Sequence, residues 1–272
     1  IMYCNASGAS ISELFLAGFL PGVLIALCLM VYSYIYCKIH GEDKDKLNAK
    51  CMELRAKGLG TVLKEGFWAL MSPVIILGGI YGGICSPTEA ATISIFYSLI
   101  VSLFIYRTIK IRDLPKIMLE GIHSYAPILI ILSAAVAFAR VITLMNVATI
   151  VSEAVLSAIS SKVVILLLIN VLLLFVGMIM DTGPAILVFT PVLLPVAEAI
   201  GVDPIHFGII MCVNLAIGFV TPPMGANLFV ASNLSKVSVF DIARKAVPFI
   251  LAFLIALLLI TFVPQISMFL LQ

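Results

Sequence analysis

Charged residues are scarce in this sequence. Asp, Glu, Lys and Arg together make up 11% of its 272 residues, whereas soluble proteins carry about 25%. Hydrophobic residues make up 62%, which is more apolar surface than a soluble domain of this length needs. Apolar runs of about 18 residues or more, each long enough to cross a bilayer core of roughly 30 Å, recur along the chain. The composition therefore predicts an all-α protein that crosses the membrane several times.

The sequence also lacks the motifs of the common enzyme classes. It has no HExxH, no GxSxG and no pair of intramembrane aspartates, and nothing in it resembles a nucleotide-binding loop. We therefore predict neither an enzyme nor an ATP-driven pump. The six cysteines show no paired spacing, so we expect no disulfide and no metal site. The basic residues lie in short loops and the net charge is only +2, so no nucleic-acid partner is expected.

Hydropathy divides the chain into spans and loops. Full spans are predicted at 12–37, 67–84, 88–106, 117–140 and 247–270. Residues 38–66 are polar, with an interfacial helix expected near 47–66, and residues 147–160 are expected to lie at the opposite interface. The chain begins at Ile1 without a start methionine or signal peptide, so we expect a fragment of a longer protein.

Two further segments are interrupted. Apolar helices at 162–180 and 185–199 are separated only by a tight turn, which predicts a re-entrant hairpin over 162–200. Residues 206–233 are predicted to form one span broken at TPPMG. With the hairpin entering and leaving on one side, every Lys/Arg-rich loop falls on the cytoplasmic side, as the positive-inside rule requires. The same holds if 162–180 and 185–199 are two full spans, so that alternative stays open.

The break at TPPMG is predicted to lie beside protein or a polar cavity, because unsatisfied backbone groups are tolerated in a membrane only there. Pro222 and Pro223 supply no amide hydrogen, so carbonyls near Gly218 and Thr221 are expected to lose their helical partners. Carbonyl and hydroxyl oxygens are suitable ligands for Na⁺. The break contains no carboxylate or histidine that could bind H⁺ instead. We predict Na⁺ ligands at Gly218, Thr221 and Met224, the alternative being a simple kink.

The hairpin turn offers complementary chemistry. Thr182 and Gly183 are candidates to complete the Na⁺ site. Free amides and the positive dipole end of the following helix, at Pro184–Ile186, favour an anion. The predicted substrate-binding residues are Asp181, Pro184, Ala185, Gly225 and Asn227. Two alternatives stay open: Asp181 could cap the helix instead, and Asn227, like Asn214, could bond across helices.

Some polar residues are predicted to be structural. Ser86-Pro87-Thr88-Glu89 has the pattern of a capping box, so Ser86 and Glu89 are expected to start a helix, as Pro222 and Pro223 are expected to end one. His206 follows Asp203-Pro204 at a predicted helix start and is expected to be interfacial.

A weak internal repeat suggests the domain organisation. Residues 1–27 and 227–254 share a hydropathy pattern but carry opposite loop charge, which is typical of inverted-topology repeats. We predict that 1–161 holds the end of a first repeat, a cytoplasmic arm and scaffold spans. Residues 162–233 are predicted to form transport elements, and 234–272 a linker and a last span.

Three motifs carry a resemblance to a known family. GGIYGGICSPTEAA (78–91), MDTGPAILVFTPVLLPVAEAIGVDPIHFGII (180–210) and IGFVTPPMG (217–225) resemble the C-terminal part of the large membrane subunit of tripartite ATP-independent periplasmic (TRAP) transporters. The resemblance runs through nearly the whole chain. It implies an inverted-repeat fold with an elevator-type movement in the bacterial inner membrane. It also implies Na⁺-driven import of an organic anion, with sialic acid as one candidate.

The same resemblance implies partners and no organic cofactor. The family's permease works with a small membrane subunit and with a periplasmic binding protein that delivers the substrate. The competing interpretation is an ion channel or passive pore. A pore predicts polar stripes along several spans, whereas the spans here are apolar except at the two interruptions.

Overall fold

The structure is a computed structural model that describes residues 1–41, 48, 51–52, 58–223 and 225–271. Within these residues seven helical segments are long and apolar enough to cross a membrane. This confirms the predicted all-helical, multi-pass architecture. The α-helices are α1 (Met2–Ser7), α2 (Ile11–Ala17), α3 (Phe19–His40), α4 (Leu59–Tyr81), α5 (Pro87–Ile100), α6 (Leu114–Leu144), α7 (Val147–Ala158), α8 (Lys162–Ile179), α9 (Thr182–Ala199), α10 (Pro204–Gly218), α11 (Ala226–Ser235), α12 (Val239–Phe262) and α13 (Gln265–Met268).

The chain forms two compact units, one of residues 34–127 and one of residues 1–33 with 128–272. In the first unit α4 packs against α5. The Tyr97 hydroxyl donates to the Trp68 carbonyl at 2.7 Å, and the Tyr106 hydroxyl donates to the Glu65 carbonyl. These bonds between side chains and backbone fix the two helices as a hairpin.

A capping box begins α5. The Ser86 hydroxyl accepts from the Glu89 amide at 3.4 Å, and Glu89 Oε2 accepts from the Ser86 amide at 2.7 Å. Pro87 occupies the first helical position, where no amide hydrogen is needed. The geometry therefore gives Ser86 and Glu89 a structural task at the start of the helix.

The core of the second unit lies between α8 and α10. α8 buries one face, which carries Ile165, Ile169 and Leu173, and exposes the opposite apolar face, which carries Val171 and Phe175. An apolar helix with one face on protein and the other left for lipid needs no polar stripe. α10 is more enclosed, and its buried side chains include Phe207, Ile210, Met211 and Leu215.

The N-terminal helix α1 packs on the first turns of α10. The Tyr3 ring lies against Gly208, where a Cβ atom would stand 2.4 Å from the ring. The Tyr3 hydroxyl donates to the Pro204 carbonyl. Gly208 is therefore needed for close approach, and the buried tyrosine keeps its hydroxyl hydrogen-bonded.

A buried polar network joins α8, α10 and α12. Asn170 Nδ2 donates to Thr261 Oγ1 at 3.2 Å, and Asn214 Nδ2 donates to Asn170 Oδ1 at 2.8 Å. All three residues are buried, and Asn214 Oδ1 has no partner among the described residues. Of the two roles left open for Asn214, the structure therefore shows bonding across helices.

The predicted break within 206–233 is confirmed. α10 ends at Gly218 and α11 begins at Ala226, with turns between them. Pro222 and Pro223 lie in the middle of this interruption, joined by a cis peptide bond.

Several predicted boundaries are wrong. The last long helix spans Val239–Phe262 instead of 247–270. The Ser238 hydroxyl accepts from the Asp241 amide and caps the helix start, which lies among polar residues and is therefore not detected by hydropathy. α4 begins at Leu59, eight residues before the predicted 67–84 span. The interfacial helix predicted near 47–66 lies partly outside the described residues, and its last part, 59–66, belongs to α4.

We predict that Asn170→Leu and Asn214→Leu each destabilise the protein by about 1–3 kcal/mol, because each leaves a buried amide without its partner. Removing both amides should cost less than the sum of the single changes, since neighbouring sites in one network are coupled. Unfolding in detergent, followed for the two single variants and the double variant, measures this coupling. Strictly additive losses would contradict the network.

Candidate functional site

The hairpin turn between α8 and α9 is very short. α8 ends at Ile179, Met180 and Asp181 are extended, and α9 begins at Thr182. The side chain of Asp181 occupies the N-cap position but makes no capping hydrogen bond. The capping role considered for Asp181 is therefore not seen, and its exposed carboxylate is available at the turn.

The free amides of this turn lie earlier than predicted. We expected them at Pro184–Ile186, but α9 already begins at Thr182. The Ala185 amide donates to the Asp181 carbonyl at 3.2 Å and is therefore occupied. Because proline has no amide hydrogen, the donors left at this helix start belong to Thr182 and Gly183.

Two predicted substrate-binding residues lie in the protein interior. Pro184 and Ala185 are buried, with Ala185 fully enclosed in the core. Their side chains pack against the protein, and their assignment as substrate-binding residues stays a prediction. Gly183 is half-buried, and a Cβ there would approach Met2 Sδ to 3.2 Å and Leu132 to 3.4 Å.

The second interruption, residues 219–225, has its own hydrogen bonds. The Gly218 carbonyl accepts from the Thr221 amide, the Thr221 carbonyl from the Gly225 amide, and the Phe219 carbonyl from the Asn227 amide, at 3.1 to 3.2 Å. The Gly218 and Phe219 carbonyls have lost their helical donors, as expected, because the residues four positions later are prolines. Amides of the turn replace those donors, so none of the three carbonyls is left without a partner. Each carbonyl oxygen has two lone pairs and keeps one available for a further partner.

The residues of the second interruption differ in exposure and in the hydrogen bonds they make. The Thr221 hydroxyl donates to the Ile217 carbonyl at 2.7 Å, which leaves its oxygen lone pairs free to accept. Gly225 is buried, and a Cβ there would stand 3.0 Å from the Phe219 and Thr221 carbonyl oxygens. Asn227 is exposed, and Met224 lies outside the described residues.

The two interruptions come together through a glycine contact. A Cβ on Gly218 would lie 2.3 Å from the carbonyl carbon and oxygen of Gly177, so the backbones of α8 and α10 touch there. Gly177 is in the last turn of α8, immediately before the hairpin turn. Gly218 is the last residue of α10, immediately before the proline break. The structure therefore brings the hairpin turn at Met180–Asp181 and the second interruption at 219–225 close together.

Sequence reasoning missed some of the residues that build this arrangement. Gly177 and Asn170 were not singled out, although small residues and single amides in apolar helices are signals of helix–helix contact. His206, predicted to be interfacial, is buried, with its Nδ1 atom 2.6 Å from Ser267 Oγ. Its partner lies 61 residues further along the chain, beyond any local pattern.

Comparison with known proteins gives the family. Residues 1–266 match the family described as "Tripartite ATP-independent periplasmic transporter, DctM component". The chain belongs to the DctM family. This family consists of TRAP transporter permeases and not of enzymes, which confirms the corresponding predictions. A DctM-family chain with these apolar helices is a multi-pass protein of the bacterial inner membrane.

Relatives of this DctM-family chain carry different names. The isethionate TRAP transporter permease protein DctMQ of Oleidesulfovibrio alaskensis is 43% identical over 99% of this chain and 42% of its own length. The C4-dicarboxylate TRAP transporter large permease protein DctM of Pseudomonas aeruginosa is 37% identical over 98% of this chain and 61% of its own length. The sialic acid TRAP transporter large permease protein SiaM of Vibrio cholerae is 34% identical over 99% and 62%. The chain thus spans between 42% and 62% of the length of these relatives.

We predict that Gly218→Ala destabilises the DctM-family chain by about 1–3 kcal/mol, because the methyl group would overlap the Gly177 backbone, which cannot move aside cheaply. The measurement is the melting temperature in detergent without Na⁺, so that ion binding does not contribute. Gly121→Ala is the matched control, since a Cβ at that helical position meets nothing within 4 Å. Equal melting temperatures for the two variants would contradict the close contact.

Proposed function

We propose that this chain is part of the permease of a secondary transporter that imports an organic anion driven by Na⁺. The observation that carries the proposal is the pair of helix interruptions held close together by the Gly177–Gly218 contact. Paired interrupted helices are the best structural pointer to the binding site of a secondary transporter. Family membership supports transport as the general activity.

The cation would bind between the two turns. Oxygen ligands are offered by the Thr221 hydroxyl and by the second lone pairs of the Gly218 and Thr221 carbonyls. Thr182 and Gly183 stand across the glycine contact and would complete the set, as would Met224, which lies outside the described residues. Neutral oxygens in a small turn suit a hard monovalent cation such as Na⁺, which is cargo here and not a resident cofactor.

The anion would bind at the start of α9. The Thr182 and Gly183 amides and the dipole of an 18-residue helix provide positive potential at that point. Asn227 and the backbone at Gly225 border the second turn and would contribute polar contacts, while Asp181 would act through its exposed carboxylate. The relatives named for isethionate, C4-dicarboxylates and sialic acid all concern organic anions, which supports this class of cargo.

The movement would follow the predicted division of the chain. We infer that residues 162–233 carry the cargo past the spans of residues 1–161 and that 234–272 form a linker and last span. α8 and α9 have 18 residues each, and each is long enough to cross the bilayer core. The proposal of a re-entrant hairpin therefore rests on the short turn between them, and the inverted-repeat, elevator-type fold is part of the same proposal.

The proposed partners follow from the family. The relatives' names place them in TRAP transporters, and one combined name, DctMQ, joins two components. We infer a small membrane subunit beside this chain and a periplasmic binding protein that delivers the anion, with sialic acid one candidate cargo. The lipid bilayer is the third partner, because large apolar side chains cover the outer faces of the helices.

We predict that Thr221→Val raises the Na⁺ concentration for half-maximal uptake at least tenfold, because it removes a hydroxyl ligand and keeps the side-chain shape. Thr221→Ser should retain most of the Na⁺ affinity. The measurement is uptake by the complete transporter in proteoliposomes at varied Na⁺.

Thr92→Val is the matched control, because the Thr92 hydroxyl donates to the carbonyl four residues earlier, as that of Thr221 does, but lies on the exposed face of α5. Unchanged Na⁺ dependence in Thr221→Val would refute the assignment of Thr221. Uptake by the unaltered protein that does not depend on the Na⁺ concentration would refute Na⁺ coupling itself.

A further inference from the structure

A cavity of about 560 Å³ lies between α1, α6 and α9 in the unit of residues 1–33 and 128–272. Its walls are mostly apolar, with Leu187 and Pro191 contributed by α9. Its polar lining comes from Asn5, Arg140 and Thr143. A cavity with apolar walls and a few polar groups is the usual form of a small-molecule site.

One end of the cavity reaches the hairpin turn. Met2 and Leu132 line the cavity and are also the residues nearest to the position of a Cβ on Gly183. Arg140 follows Leu132 by eight residues on α6, and Pro191 follows Gly183 by eight residues on α9, a distance of about 12 Å along each helix. The cavity therefore runs along both helices, from the hairpin turn to the guanidinium of Arg140.

Arg140 is an unusual residue for this position. It is the one Lys or Arg between Lys116 and Lys162, and it lies in the apolar segment Ile111–Leu144. Among the described residues no carboxylate forms an ion pair with it, and its side chain is exposed. Arg140 is the last residue of the predicted span 117–140, so its guanidinium lies towards one end of this apolar segment. An unpaired ionisable side chain on a membrane segment is by default a candidate for function.

Of the other two polar groups in the cavity, Asn5 adds a hydrogen-bond donor and Thr143 does not. The Asn5 side chain has no hydrogen-bond partner among the described residues, so its amide group can donate into the cavity. The Thr143 hydroxyl already donates to the Ala139 carbonyl at 2.9 Å and contributes only acceptor lone pairs. A guanidinium always carries its charge and matches the two oxygens of a carboxylate or sulfonate with parallel hydrogen bonds.

We propose that this cavity is an oxyanion subsite in which Arg140 holds the carboxylate or sulfonate of the cargo, about 12 Å along α6 from the hairpin turn. The inference rests on the proposed function, because the cargo is taken to be an organic anion. It adds a specificity-determining residue on α6, outside the hairpin and the broken helix. An anionic lipid headgroup offers similar chemistry, so the experiment must separate lipid from cargo.

The test compares Arg140→Gln and Arg140→Lys with Arg112→Gln, a control arginine in an exposed turn. The complete transporter is placed in phosphatidylcholine vesicles with and without phosphatidylglycerol, and uptake of isethionate, succinate and N-acetylneuraminate is measured. For the anion that the unaltered protein imports, Arg140→Gln should raise KM at least tenfold and change the maximal rate less than twofold. The KM of Arg140→Lys should lie between those of Arg140→Gln and the unaltered protein, since lysine keeps the charge but loses the paired hydrogen bonds. Arg112→Gln should have the KM of the unaltered protein.

A binding measurement separates this inference from the proposed function. At least one of the same three anions should raise the melting temperature of the purified complex, and Arg140→Gln should abolish that shift while keeping the melting temperature without anion. An Arg140-dependent shift without any uptake would refute the transport proposal and support the subsite. An unchanged KM or an unchanged shift in Arg140→Gln would overturn the subsite. So would a defect seen only with phosphatidylglycerol, which would assign Arg140 to lipid.

Discussion

The contact between the backbones of Gly177 and Gly218 determines the arrangement of everything around the candidate site. Any side chain at Gly218 would enter the Gly177 peptide, so two helices approach as closely as their backbones allow. Because each glycine lies in the last turn of its helix, the contact aligns two helix ends as well as two helices. The hairpin turn and the proline break follow directly from those ends and are therefore neighbours.

Around this contact, the protein pairs buried polar groups internally, and among the described side chains Asn214 Oδ1 alone is buried without a partner. Asn170, Asn214 and Thr261 bond to one another across three helices, where lipid could offer them nothing. The same constraint explains the break, whose carbonyls accept from amides further along the turn. Apolar surface, by contrast, is left on the outer faces of α8 and other helices, since a bilayer is a suitable solvent for it.

Much of the fold could be predicted from the sequence because its strongest signals are local. A pair of prolines with flanking glycines marked the break, and long apolar runs marked the spans. Boundaries set by a single polar side chain were less predictable: Ser238 starts α12 eight residues before the apolar run that hydropathy detects. Partners distant in sequence could not be predicted at all, as with Asn170 and Asn214, or His206 and Ser267. At the site, residue types indicated the chemistry, but not that Ala185 would be buried or that the Phe219 carbonyl would already have a partner.

The hydrogen bond from the Asn227 amide to the Phe219 carbonyl has a consequence for how the broken helix behaves. It ties the first residues of α11 back to the residue that follows α10, so the interruption is a closed loop and not a loose joint. The Phe219 and Thr221 carbonyls and the Thr221 hydroxyl are already held by hydrogen bonds. Holding possible ligand atoms in place beforehand lowers the conformational entropy that is lost on binding.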